Sequence, residues 1–250
     1  MTGTRAVQES NWPHGATSHP CQCCGRLSAP PRDGRCEVIV SACPPGAASD
    51  VARDVIAAGF GGVYVEVNAI SPATARSIGA RFDRFVDGGV VGPPVQSAGT
   101  TRLYLSGDHA SEVAELWAGT PLDTRLVDGG PGATSAVKVC YAAWTKGSAA
   151  LLLAIRALAV AEGVDDSLLA EWATSLPGVT AQSDRAAAGN APKAWRFLGE
   201  LDEIAASFAA HGLPDGFGAA AAVVYDRLAG FKDTNGVSVD AVIDALLHPS

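Results

Sequence analysis

The sequence predicts an α/β domain followed by an all-helical domain, and three observations carry that reading. Short apolar runs of strand length alternate with short helical segments from about residue 35 to residue 131. The cluster Gly129-Gly130-Pro131-Gly132 ends that alternation. Beyond it, apolar residues recur at helical spacing, with no convincing strand before the tail. Strands alternating with helices imply a mainly parallel sheet. The chain therefore divides into an atypical leader over 1–34, a sheet domain over 35–131 and a helical domain over 132–250.

Each element has its own signal. In the leader there is no period of two or 3.6, and Ala29-Pro30-Pro31-Arg32-Asp33-Gly34 breaks the chain. Val38-Ile39-Val40 reads as a short buried strand closed by Pro44-Pro45, and Asp50 to Ala58 as a helix with Ser49 or Asp50 near its N-cap. Val63 to Val67 is a second strand. Ser71-Pro72 opens the next helix with a cap and a first-turn proline. Phe85 to Val91, Leu103 to Leu105 and Arg125 to Val127 are further strands, with a helix from Ala110 to Trp117. Thr134 to Glu162 then forms one long helix, followed by helical segments at Ser167 to Thr174, Trp195 to His211 and Phe217 to Ala229.

Composition narrows the function classes. A 48% hydrophobic content over 250 residues can bury a real core, and only 18% charged residues argues against a disordered tail. A net charge of −8 opposes nucleic-acid binding, which needs a basic footprint. The longest apolar run, Ala149 to Ile155, stops at Arg156, well short of a bilayer span. Met1 to Gly15 lacks the apolar core of a secretory signal. The expectation is a cytoplasmic protein with no membrane partner. Cys21, Cys23, Cys24 and Cys36, with His14 and His19, suggest a zinc knuckle, but C-x-C-C leaves too little chain between ligands to turn it. No metal is expected.

Three features could carry chemistry. Asp87-Gly88-Gly89-Val90-Val91-Gly92-Pro93-Pro94 places glycines where backbone can approach a small ligand, or where the chain turns tightly. Gly132-Ala133-Thr134-Ser135-Ala136-Val137-Lys138 puts a lysine one turn into the long helix, with Lys138, Tyr141 and Thr145 at i, i+3 and i+7. Lysine on an apolar helix is a candidate acid/base group, because burial lowers its pKa toward neutrality; a snorkelling lysine is the alternative. Asn68-Ala69-Ile70-Ser71-Pro72 follows a strand at the end where open α/β sheets bind ligands.

In that order and spacing, these motifs resemble the β-hydroxyacid dehydrogenases, which include phosphogluconate and hydroxyisobutyrate dehydrogenases, over roughly four fifths of the chain. The resemblance implies an incomplete Rossmann-like parallel sheet and hydride transfer between NAD or NADP and a hydroxyacid carbon or related carbonyl. It implies Lys138 as the acid/base residue, with Tyr141 a candidate replacement for a lost polar partner. Pro44, Asn68 and Ser71 fall at the cofactor positions, and Gly88, Gly89, Val91 and Gly92 in the substrate-binding turn. It further implies a small-molecule substrate and a homodimer through the helical domain. The sequence departs from the family at Ala142, where an asparagine is usual, at Val91 for a serine, and at Glu200 for a lysine.

The G-x-G-x-x-G turn that grips a dinucleotide is not found in its expected context. Gly216-Phe217-Gly218-Ala219-Ala220-Ala221 matches its relaxed form but follows Pro214-Asp215 instead of a strand; Gly130-Pro131-Gly132 has Ser135 in the third position. The 34 residues before Arg35 are too few for three further strands and their helices, so weak cofactor binding is expected. The leading expectation is thus an oxidoreductase altered in its nucleotide-binding half. The alternatives are a non-catalytic oligomerising relative and, third, a metal-binding module.

Overall fold

The computed structural model describes residues 36–249. The leader, with the metal reading of His14, His19, Cys21, Cys23 and Cys24, lies outside the described residues. The described residues form two compact units dividing inside one long helix, up to Val139 and from Cys140.

The first unit is a five-stranded sheet in chain order: β1 (Val38–Ser41), β2 (Val63–Glu66), β3 (Phe85–Val91), β4 (Arg102–Ser106) and β5 (Asp123–Leu126). All neighbouring pairs are parallel except β3 with β4. The predicted, mainly parallel α/β sheet is thus present. β5 begins two residues before the expected Arg125, at Asp123, whose N–H donates to Thr101 O at 3.0 Å.

Alternation along the strands splits the core in two. On one face Tyr64 and Phe85 join Ala48, Ala52 and Val55 of α1 (Ala48–Ala57) and Ala75 and Ile78 of α2 (Pro72–Gly79). Tyr64 stacks on Phe82 at 4.3 Å between centroids. On the other face Val63, Val65, Val86, Leu103 and Leu105 pack on Ala110 and Val113 of α3 (Ala110–Ala114). Ser71 caps α2 as its sequence predicts: its Oγ accepts from Thr74 N at 3.2 Å, and Pro72 takes the first turn.

α4 (Ala133–Ala161) closes the first unit and opens the second, which continues with α5 (Asp165–Ser175), α6 (Val179–Asn190), α7 (Ala194–Ala209), α8 (Gly216–Asp226) and α9 (Val239–Leu247). Buried Arg156 ties α4 to Asp165 at 2.7 and 2.9 Å and to Ser183 Oγ at 3.0 Å. Tyr225 Oη donates to Lys146 O at 3.0 Å and accepts from Asn190 Nδ2 at 3.1 Å. α4 is long and apolar enough, by length and composition, to cross a membrane. Thr134, Ser135 and Arg156 along it are nevertheless buried in protein contacts.

Candidate active site

The residues predicted to act, Tyr141 excepted, lie around the C-terminal ends of β1, β2 and β3 and the first turns of α4. The loops after β1 and β2 are tied by one amide. Asn68 accepts at Oδ1 from Cys43 N, and its Nδ2 donates to Ser41 Oγ at 3.1 Å and Cys43 Sγ at 3.3 Å. Exposed Pro44 follows Cys43 directly. Pro44 and Asn68 are thereby brought together, while Ser71 is buried and engaged at its own helix start.

Two of the glycines expected in a turn, Gly88 and Gly89, belong to the interior of β3. Gly88 pairs with Leu105 and Gly89 with Tyr104 of β4. A side chain at either would meet neighbours. A Cβ at Gly88 would lie 2.7 Å from Val67 Cγ1, and one at Gly89 would lie 3.0 Å from Thr134 Cγ2 and 3.4 Å from Lys138 Cδ. Gly89 is therefore the floor over which the Lys138 stem runs. Val91 is buried at the end of the strand, and Gly92, at φ 126°, turns the chain against Thr100.

Lys138 is half-buried and donates from Nζ to Val67 O at 3.2 Å, just past β2. Its helix is anchored at the start by Asp87. Asp87 Oδ2 accepts from Gly132 N and Ser135 N, both at 2.9 Å, and Oδ1 from Ser135 Oγ at 2.6 Å. Ser106 Oγ accepts from Thr134 N at 3.1 Å. Gly132, at φ 94°, admits this geometry because a Cβ there would lie 2.9 Å from Pro72 O. A helix N-terminus attracts an anion, and here a carboxylate of the chain itself fills the place.

Two carboxylates lie side by side beneath this site: Glu66 and Asp87 are register partners on β2 and β3, and both are buried. Burial pushes Glu66 up to about 7, against the lowering effect of the Asn68 N–H at 2.9 Å and of Ser41; the charge of Asp87 adds to the rise. Burial raises Asp87 too, opposed by Ser135 and the N–H of Gly132. Neither residue was expected to act, although an acidic residue inside an apolar strand is itself a signal, since a buried charge requires partners.

Tyr141 is not brought to the lysine's inner contacts. Its side chain is exposed, and the residue four past Lys138 on the buried side is Ala142. Glu200 pairs with Lys146 at 2.7 Å, with Lys146 over the Phe197 ring at 5.0 Å. The glycine run at 216–218 starts α8, and Gly218 lets it approach α7, a Cβ there falling 3.1 Å from Leu201 O.

Among solved structures, the chain is 26% identical to conserved protein MTH1747, which is described as structurally similar to 3-hydroxyacid dehydrogenases. The match covers 79% of this chain and 77% of that one, with a TM-score of 0.62. In fold, this is a β-hydroxyacid-dehydrogenase-like protein. The same architecture occurs in 3-hydroxyisobutyrate dehydrogenase of Mycobacterium tuberculosis, at 21% identity, TM-score 0.60, and coverage of 85% and 80% of the two chains. Residues 159–228 match a family described as a domain of unknown function (DUF1932). An uncharacterized 28.5 kDa protein of Methanothermus fervidus is 30% identical over 140 residues. That match covers 53% of this chain and spans about half, 52%, of the relative's length.

Proposed function

We propose that this chain is an NAD- or NADP-linked oxidoreductase of the hydroxyacid dehydrogenase type, with Lys138 as its acid/base residue. The observation that carries the reading is the Lys138 stem laid across Gly89, with Nζ at the C-terminal end of β2, within a hydroxyacid-dehydrogenase-like fold. A nicotinamide cofactor supplies the hydride acceptor or donor when bound. Lys138 takes the hydroxyl proton of a small hydroxyacid in one direction and returns it to the carbonyl oxygen in the other. Gly89 leaves room for its stem, and the Asn68 amide holds the loop carrying Pro44 in place.

The described residues fit only the nicotinamide end of such a cofactor. The α4 N-terminus gives its Gly132 and Ser135 N–H groups to Asp87, so they are not presented to a pyrophosphate, and the 216–218 run follows Pro214-Asp215 instead of a strand. Losing such charge-assisted hydrogen bonds, about 1.5–3 kcal/mol each, places affinity near the millimolar range. Calorimetric titration of the chain with NADH and NADPH tests this, and micromolar affinity for either overturns the weak-binding part. Spectrophotometric turnover with a panel of small hydroxyacids tests the reaction class.

The reading includes a homodimer. On α4, Val137, Tyr141, Trp144, Leu151 and Leu158 are exposed at spacings of three, four and seven. That apolar stripe also favours the second reading, an oligomerising relative without turnover, which the same panel distinguishes.

A further inference from the structure

We propose that Glu66 is a positioning residue for Lys138, acting through the single peptide group that joins Val67 to Asn68. The two sides of that peptide have opposite partners. Its carbonyl oxygen accepts from Lys138 Nζ at 3.2 Å, and its N–H donates to Glu66 Oε1 at 2.9 Å. A hydrogen bond at one end of a peptide polarises it and strengthens the bond at the other end, more so where the surroundings are dry. Glu66 is fully buried.

When Glu66 is ionised, the Asn68 N–H is pulled toward the carboxylate and the Val67 carbonyl becomes a better acceptor, which favours the ammonium form of Lys138. When Glu66 holds a proton, that support weakens and Lys138 gives up its proton more readily. The groups facing Glu66 are Asp87 on β3, Tyr64 two residues earlier on β2 with its hydroxyl 3.5 Å from Oε2, and Ser41 at the end of β1. Asp87 is already held by the first turn of α4. Both buried acids are raised by burial, but the first turn of α4 opposes the rise at Asp87, while burial places the change of charge on Glu66 near pH 7.

The assignment of Lys138 as acid/base residue rests on the function proposed above, but the coupling does not, and its test needs no turnover. Lysine labelled with 13C at Cε reports on Lys138, Lys146, Lys193 and Lys232, and loss of a signal in Lys138→Arg assigns the one of interest. In a pH titration of the full chain, the Asn68 amide proton and the Lys138 Cε signal should bend at one common pH near 7. In Glu66→Gln both inflections should vanish, and the ammonium titration of Lys138 should move down by about 0.3–1 pH unit, the size of a modest charge coupling. If Glu66→Gln does not fold, the wild-type titration decides alone. A Lys138 Cε signal that stays flat where the Asn68 amide bends, or an Asn68 amide with no inflection in that range, overturns the proposal.

Discussion

Asp87 on β3 holds Ser135 on α4 twice, accepting from its backbone N–H at 2.9 Å and its hydroxyl at 2.6 Å. Two residues along the same face of β3, Gly89 lies under the stem of Lys138. One strand thus fixes both where the helix begins and where its lysine passes. Asp87→Ala should leave buried N–H groups without acceptors and destabilise the first unit by about 2–4 kcal/mol, from the cost of unmade bonds to a charged group. Asp87→Asn, which keeps an acceptor, should lose less. Denaturant unfolding checks both, and equal losses would assign the effect to packing alone.

Stability should fall as pH rises through neutrality. The folded-state pKa of Glu66, about 7, exceeds its ordinary 4.5. The folded chain therefore holds the proton more tightly than the unfolded one. The resulting stabilisation is complete below pH 4.5 and is lost as pH climbs through about 7. At about 1.4 kcal/mol per pH unit, the loss is a few kcal/mol at most. Urea midpoints from pH 5 to 8.5 should decline in the wild type and decline less in Glu66→Gln, where only the buried Asp87 remains raised. A level wild-type profile would remove Glu66 as the source.

Gly88→Ala and Gly89→Ala should separate stability from chemistry. At Gly88 a methyl group meets Val67 Cγ1 at 2.7 Å and Glu66 O at 2.9 Å. Such overpacking costs about 1–3 kcal/mol. At Gly89 it meets side chains only, Thr134 Cγ2 at 3.0 Å and the Lys138 stem from 3.4 Å. Gly89→Ala should therefore melt close to the wild type while displacing the lysine and lowering turnover. The reverse order, a stable Gly88→Ala and a collapsed Gly89→Ala, would mean that the lysine stem does not lie where these contacts put it.

Trp144 is 71% exposed and Leu151 62%, although both belong to the longest helix. Full burial of a large apolar side chain contributes about 1.5–3 kcal/mol, so a dimer sealed by this stripe should be sensitive to charge there. Trp144→Glu with Leu151→Glu should sediment as a folded monomer where the wild type sediments as a dimer. A wild type that is monomeric at micromolar concentration would end the dimer reading.

The alternation of strand and helix, the Ser71-Pro72 start of α2 and nearly all of α4 are legible in the sequence, because local periodicity and capping decide them. α6 and α9 are not. α6 buries only Ser183, Ala186 and Ala187, too small and polar to mark a face, and α9 is nine residues long behind a Ser238 cap. Lys138 can be singled out from its place in the helix, but its neighbours cannot. Its contacts at Val67 and Gly89 come from the end of β2 and from β3, and the partners of its helix start, Asp87 and Ser106, likewise come from the sheet. Of the glycines placed in the substrate-binding turn, Gly88 and Gly89 lie within β3, whose pairing with β4 continues through them, and Gly92 turns the chain after it.

The most direct measurement compares hydride transfer by the wild type and by Lys138→Met, with NAD and NADP at millimolar concentration and a panel of small hydroxyacids, after matching the two proteins by melting temperature. Loss of the general acid/base should lower turnover by about 10²–10⁴-fold with little change in melting. Equal turnover in the two proteins, or none in the wild type with any member of the panel, would contradict the account.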